Sequence, residues 1–409
     1  MLKLAGFFFI AFACSASAAS QKNYEFSYIF DSPDPKSGQG FGEDLQIVGE
    51  SIFVGASNWH EPGTGRGSAR GAVFEYSVST GDFIQHFLSP VSQGYSQSGA
   101  DISVSDSFLL VGSSADTDLG SAHLFSRATG ERIFEFKNPE PEGRLNFGAG
   151  VAVNETFSLV AAEAGGGYSP LAEGAAYLFD NTTGQLVHTL KTAEKSTAGI
   201  FGANVFLSGD YAYVAEPYSF GGQQGRVSQF SVVTGELIRT FMSSRLLQDD
   251  VRNFGSNFDV EGEFIAITDT GNGVVEIFDI LTGEYVAQIQ NPTNGIGFGG
   301  DIDLFGDIAV IGWSANRVPL VYNYKTGELV QFLDFPPISG GVSGNYGTSV
   351  SILENIIAVG SPGNTGLTVG DYGGDVLVFQ AASVPLGASL PFSLFSCLTL
   401  VLLRKLRTY

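Results

Sequence analysis

The sequence predicts an all-β fold, a seven-bladed β-propeller of four-stranded antiparallel blades whose ring is closed by the N-terminal strand. Three observations carry this expectation. A stretch of about fifty residues recurs seven times, each copy holds four short segments with the two-residue alternation of a half-buried strand, and no segment has a helical period. Residues 201–240, FGANVFLSGDYAYVAEPYSFGGQQGRVSQFSVVTGELIRT, are the cleanest copy. Turn signals at Gly209-Asp210, at residues 216–225 and at Thr234-Gly235 separate its four strands.

The copies are counted at their opening step. Phe41-Gly42, Ser98-Gly99, Phe147-Gly148, Phe201-Gly202, Phe254-Gly255, Phe298-Gly299 and Tyr346-Gly347 take equivalent places, 44 to 57 residues apart, with Ser98 the odd substitution. A Thr-Gly turn precedes each outer strand, at Gly81, Gly130, Gly184, Gly235, Gly283 and Gly327. Seven openings against six such turns leave the last copy without an outer strand after residues 376–380. Residues 24–30, YEFSYIF before DSPDP, stand alone ahead of the first copy and match residues 131–136 with the NPEP beyond them. The N-terminus therefore completes the seventh sheet, and closure removes the exposed inner edge. The repeats span residues 24–380.

The termini read differently. Lys3, the apolar run of residues 4–13 and Ala16-Ser17-Ala18 form a secretory signal peptide, residues 1–18, cut after Ala18. The only cysteines, Cys14 and Cys397, lie in the two terminal segments, so the repeats hold no disulfide and rest on core burial. The 54 glycines and 34 phenylalanines suit tight turns and aromatic packing between blades. Formal charge is −22, and loss of Lys3, Arg404, Lys405 and Arg407 would leave 16 basic against 42 acidic residues. Such a surface excludes nucleic acid and anionic lipid as partners and fits solubility or attraction of divalent cations.

Residues 384–409, VPLGASLPFSLFSCLTLVLLRKLRTY, combine a short motif, an apolar stretch of about 16 residues and a basic end. The basic cluster is expected to stay cytoplasmic, leaving the repeats outside that membrane. The segment resembles bacterial PEP-CTERM-like sorting tails of the VPLPA variant. Val384, Pro385, Leu386 and Ala388 match, while Gly387 stands where that variant has its second proline. The resemblance implies a sorting protease as partner and a cell-surface or extracellular location. A plain tail anchor is the alternative, and contact with membrane is expected only through this segment.

The repeats resemble the FG-GAP family. The matching residues are the Phe-Gly openings, Val54-Gly55-Ala56 and Val359-Gly360-Ser361-Pro362 as the "VGAP" step, and GAAYLF at residues 174–179 as the third strand. The resemblance implies a seven-bladed ring and adhesion or binding at the cell surface. The integrin-type members of that family carry a calcium loop of DxDxDG form between the first two strands. Here that connection is a tight turn, at Gly49-Glu50, Ser105-Asp106, Asn154-Glu155, Gly209-Asp210, Glu261-Gly262, Gly306-Asp307 and Glu354-Asn355. Calcium takes six to eight oxygens, which a two-residue hairpin does not gather. No cofactor is expected, and calcium is left only as a possibility outside such loops.

Catalytic constellations are missing from the sequence. His60, His86, His123 and His188 sit in different copies without metal-ligand spacing, and His86 and His123 read as packed structural residues. Gly295, Gly297 and Gly300 match G-x-G-x-x-G, but a strand follows where a phosphate-binding helix is needed. No nucleophile elbow, Walker motif or cysteine nucleophile occurs. The Thr-Gly repeats are similar to those of quinone-dependent dehydrogenase propellers, whose docking tryptophans are absent here; an enzyme of that type is the third reading.

Binding is the first reading. The second-to-third and blade-to-blade connections are long and share one face, collecting residues 57–70, 162–174, 216–225 and 361–374. Trp59, His60, Tyr168, Tyr218, Phe220, Trp313 and Tyr372 lie in these connections as candidate ligand-binding residues for a polysaccharide or an extracellular or envelope protein. The alternative is that they fold inward over the blade tops. A second candidate is a polar ring near the channel axis, Asp44, Asp101, Asn204, Asn257 and Asp301, extended by Asp259 and Asp303, which either holds a cation or is solvated lining. A structural envelope or matrix protein without a discrete ligand is the second functional reading.

Overall fold

The computed structural model describes residues 22–33, 40–61, 70–89, 96–116, 119–140, 146–163, 174–191, 200–217, 225–245, 253–293, 297–313, 318–334, 336, 345–363 and 374–382. Residues 1–21 and 383–409, where the signal peptide and the sorting tail are expected, lie outside them. Among the described residues the secondary structure is 28 strands in seven four-stranded antiparallel sheets, with no helix. Blade 1 runs from its inner strand Phe41–Val48 through Ser51–Ala56 and Ala72–Ser77 to the outer strand Phe83–Leu88. Blades 2 to 6 repeat the order, with inner strands Ile102–Val104, Phe147–Val153, Val205–Ser208, Phe254–Glu261 and Ile302–Phe305. Blade 7 takes Val350–Leu353, Ile356–Ser361 and Asp375–Ala381 from the C-terminal side and Tyr24–Asp31 as its outer strand.

The closing strand is held on three sides. It pairs from Tyr24↔Ala381 to Asp31↔Asp375, with one irregularity between Phe26 and Tyr28. Gln331 of blade 6 donates from Nε2 to the Tyr24 carbonyl at 2.7 Å and accepts the Tyr24 N–H on Oε1 at 2.8 Å. Phe30 lies against Tyr76 of blade 1 at 4.3 Å between ring centroids. Blades 6, 7 and 1 thus share one strand.

The recurrent glycines mark positions that no other residue fills without strain. The seven glycines of the opening steps all have φ between 83° and 92°. A Cβ at Gly148 would sit 2.2 Å from the Ser121 carbonyl oxygen of the preceding blade. The six Thr-Gly glycines also have positive φ, between 70° and 76°. Each donates its N–H four residues back, as Gly184 does to Asp180 at 2.8 Å, and each outer strand then begins with a bulge.

The inner hairpins are tight, but three sit one residue later than the sequence places them. The turns are Asp106-Ser107, Glu155-Thr156 and Gly262-Glu263, because Ser105 and Asn154 bond back from their own N–H to Phe108 and Phe157 and Glu261 still pairs with Phe264. In the third blade the Asn154 side chain takes the Thr156 and Phe157 N–H groups, a local side-chain turn in place of a glycine.

The core lies between blades rather than within one sheet. Each of seven apolar clusters draws on two adjacent blades; one seam joins Leu159, Leu178 and Leu190 of blade 3 to Val205, Val214 and Phe230 of blade 4. Strands two and three of every blade are buried on both faces, which is why they read as near-continuous apolar runs.

Candidate functional site

At the centre, the seven inner strands would each present a row of unpaired N–H groups, because a strand at a sheet edge has a partner on one side only. The preceding blade's side chains take them. Asp44 Oδ2 accepts from Ile102 N at 2.7 Å, Asp101 Oδ2 from Val151 N at 2.5 Å, and Asp301 Oδ2 from Val350 N at 2.7 Å. Asn204 donates to Asn257 Oδ1 at 2.7 Å, and Asn257 donates to Asp301 Oδ1 at 3.0 Å. Two residues further along, a second tier repeats the rule. Gln46 takes Val104 N, Ser103 takes Val153 N, Asp259 takes Leu304 N, Asp303 takes Ile352 N, and Ser351 takes Ile47 N across the closing seam. The pattern is incomplete in the middle of the ring: Gly150 and Ala152 of blade 3 have no polar side chain, Phe206 fills the second-tier position of blade 4, and Asn204 and Asn257 bond side chains of the next blade rather than its N–H groups; a Cβ at Gly150 would lie 3.4 Å from Asn204 Cα.

All five predicted ring residues therefore meet on one axial cavity of about 120 Å³, lined by residues of every inner strand and by no Lys, Arg or His. The second tier of Gln46, Ser103 and Ser351 was not singled out in sequence, although its signal is present: polar residues at inner-strand positions two beyond the first tier. The carboxylates spend oxygens on backbone N–H groups as inter-blade stitches. Among the described residues no three His, Cys, Asp or Glu side chains converge as a metal cluster.

Burial, reinforced by the crowding of carboxylates, raises their pKa values. Burial lifts Asp101 to about 7, offset in part by the Val151 N–H and reinforced by Asp301; burial lifts Asp301 to about 6. Burial, with Asp101 and Asp301 beside it, raises Asp44 well above the ordinary value, and burial with Asp259 does the same for Asp303. A folded-state value above the unfolded one means that folding takes up protons. Their contribution is complete below the unfolded value of 3.8 and is lost as pH rises through about 6 and 7. The melting temperature is thus expected to fall between pH 4 and pH 8. Asp101→Asn keeps an acceptor for Val151 N–H and removes one titration, so it should gain roughly 2 °C or more on wild type at pH 8 and little at pH 4. A melting series with identical slopes for both proteins would refute this. Asp180 and Asp279, lowered chiefly by turn N–H groups of Thr183 and Thr282, act below this window.

The loop-face candidates divide. Trp59 and Trp313 are turned inward, 7 % and 2 % exposed, with Trp59 edge-on to Phe74 at 5.8 Å and Trp313 edge-on to Phe298 at 6.1 Å. His60 is 8 % exposed. Their rings are packing surface over blades 1 and 6, so they present no open face to a ligand. Tyr168, Tyr218, Phe220 and Tyr372 lie outside the described residues.

No protein family matches the chain, and no curated protein does either. Among solved structures, the chain is similar to the β-propeller domain of Cps50 (Swd1) from Myceliophteria thermophila. The likeness has a TM-score of 0.60 at 12 % identity and covers 88 % of this chain and 100 % of that one. It establishes the fold: the protein is a seven-bladed β-propeller.

Proposed function

We propose that the chain is an exported, surface-associated, non-catalytic binding module of FG-GAP type, which recognises a polysaccharide or an extracellular protein through the face bearing its long connections. The observation that supports this most directly is strand direction. In every blade the inner turn leaves one face, and the Thr-Gly turns of blades 1 to 6 leave the same one, so each second-to-third and blade-to-blade connection starts and ends on the other. A rigid ring with variable connections gathered on one side is a common layout for recognition. The N-terminal apolar segment and the VPL-type tail support export and sorting.

The test is saturable binding of the purified protein to arrayed neutral and acidic glycans, followed by capture from envelope extracts. Alanine at Tyr168, Tyr218, Phe220 and Tyr372 together is expected to weaken binding at least tenfold while leaving the melting temperature within about 2 °C. Trp59→Ala and Trp313→Ala, by contrast, should cost about 3–5 kcal/mol of stability, because both rings are core. Silence with glycans and envelope proteins alike would favour the second reading, a structural matrix protein. One observation supports that reading: outer strands expose paired apolar residues, Phe83-Ile84, Leu186-Val187, Leu237-Ile238 and Tyr285-Val286, each 39–50 % exposed.

A further inference from the structure

Blade 7 has no Thr-Gly turn, and the two ends of the ring stand where that turn would be. Its third strand, Asp375–Ala381, runs from the face of long connections to the face of short turns, and the closing strand Tyr24–Asp31 runs back. Tyr24 therefore pairs with Ala381 beside the inner turn of the blade. Ala381 N–H donates to the Asn355 carbonyl and Ala382 N–H to the Asn23 carbonyl, both at 2.7 Å. Lys22 Nζ donates to the Glu354 carbonyl at 2.9 Å. Both ends thus leave the ring at one point on the short-turn face. The long connections lie on the other face, a strand height away, which for six residues is about 20 Å.

The short-turn face is strongly acidic. Each of the seven inner turns exposes a carboxylate, from Glu50 in blade 1 to Glu354 in blade 7. Five of the six Thr-Gly turns are followed by another, as at Asp82 and Glu284. Positive charge nearby is already engaged: Lys325 pairs with Asp307 at 2.6 Å, and the Arg127 guanidinium donates to the Ser105 and Asp106 carbonyls. Such a surface is repelled by anionic lipid within a Debye length, about 8 Å at physiological ionic strength. It faces a membrane from a distance and does not lie against one.

Residues 383–389 separate Ala382 from the apolar stretch of the tail. Seven residues reach at most about 25 Å. That length holds the acidic face beyond the screening distance. It is too short to turn the ring over, because a tether running up the height of blade 7 would keep only about 5 Å to reach the bilayer. Given the anchoring proposed above for residues 384–409, the geometry points to a single orientation: the short-turn face is turned to the layer that holds the tail, and the face of long connections is turned outward. The segment of residues 1–18 leaves from the same point and pulls on the same face. The ligand of the outward face is therefore met from beyond the anchoring layer, and headgroups of that membrane do not reach it.

The experiment uses the full chain with Cys14→Ala and Cys397→Ala, in vesicles of phosphatidylethanolamine and phosphatidylglycerol that carry an acceptor dye on their headgroups. A donor dye is attached at Ser107→Cys, in the inner turn of blade 2, or at Ala115→Cys, beyond the other end of the strand Phe108–Ser113; both positions are exposed. Flotation reads anchoring, and energy transfer reads height above the bilayer. The chain should float, flotation should weaken when residues 384–409 are removed, and transfer from Ser107→Cys should exceed that from Ala115→Cys at least twofold. Equal transfer from the two sites, or more from Ala115→Cys, in a chain that floats through its tail overturns the orientation and leaves the anchoring intact. A chain that does not float, or that floats equally well without residues 384–409, overturns the anchoring and the orientation with it.

Discussion

A chain lacking residues 22–31 is expected to lose the closed ring and to melt at least roughly 10 °C below the full chain. The reasons add up along one strand. Its removal leaves Asp375–Ala381 as an open edge with seven paired positions unmatched. It also withdraws Tyr24, 1 % exposed, and Phe30, 9 % exposed, from the seams with blades 6 and 1. Each buried aromatic removed costs about 3–5 kcal/mol, and a whole domain is stable by only about 5–15 kcal/mol. The Gln331 amide is left with no backbone to bond, and Tyr76 loses the ring against which it packs. An open, flat edge is also a template for pairing with another chain, so the truncated protein should run as soluble oligomers or aggregate. Thermal scans with size-exclusion chromatography measure both effects. The peptide YEFSYIFD added in trans should raise the melting temperature in a concentration-dependent way, because it binds the folded ring alone. A truncated monomer melting within about 3 °C of the full chain would show that the closing strand contributes little.

Much of this architecture was legible because glycine and aromatic residues report backbone geometry directly. Phe-Gly and Thr-Gly recur where a left-handed residue must sit beside a neighbouring blade, and those constraints act locally, so spacing alone exposed the blade count and the missing outer strand. The axial residues were legible as positions but not as bonds. Asp44, Asp101 and Asp301 alternate correctly with apolar neighbours, yet that each carboxylate takes the N–H of the next blade depends on the closed ring. The direction in which Trp59 and Trp313 point was not legible, because a residue in a connection is free to face outward or to cap the seam beneath it. Both rings find Phe74 and Phe298 waiting at the blade tops, and burial outweighs exposure for so large an apolar surface. Three hairpins slid by one residue since side-chain turns and continued pairing compete with glycine for the corner. The departure at Ser98 was visible in sequence; that blade 2 also buries Ser113, Asp116, Ser121 and His123 was not, because these residues come together only when the blade is folded.

The opening-step glycines should be the least replaceable small residues in the chain, and Gly148→Ala is the sharpest case. Two costs combine there. The backbone has φ of +90°, a conformation in which an L side chain is strained by about 1–2 kcal/mol. The new methyl would also lie 2.2 Å from Ser121 O and 3.1 Å from Ser113 N, both backbone atoms of blade 2 held in their own ladder. Neither can rotate away as a side chain would, so the seam between blades 2 and 3 must widen along its length, and overpacking of this kind costs about 1–3 kcal/mol more. The expected loss is about 3–5 kcal/mol by urea unfolding. Gly49→Ala separates the two causes. Gly49 has φ of +62° with nothing within 4 Å of an added Cβ, and Glu354 already adopts φ of +55° at the same hairpin position of blade 7. That variant should lose only about 1 kcal/mol. Equal losses in the two variants would mean that backbone conformation alone sets the glycine requirement. A loss at Gly148 several times larger ties the glycine that opens all seven repeats to the closeness of its blades, which is the feature that lets seven marginal sheets share seven cores.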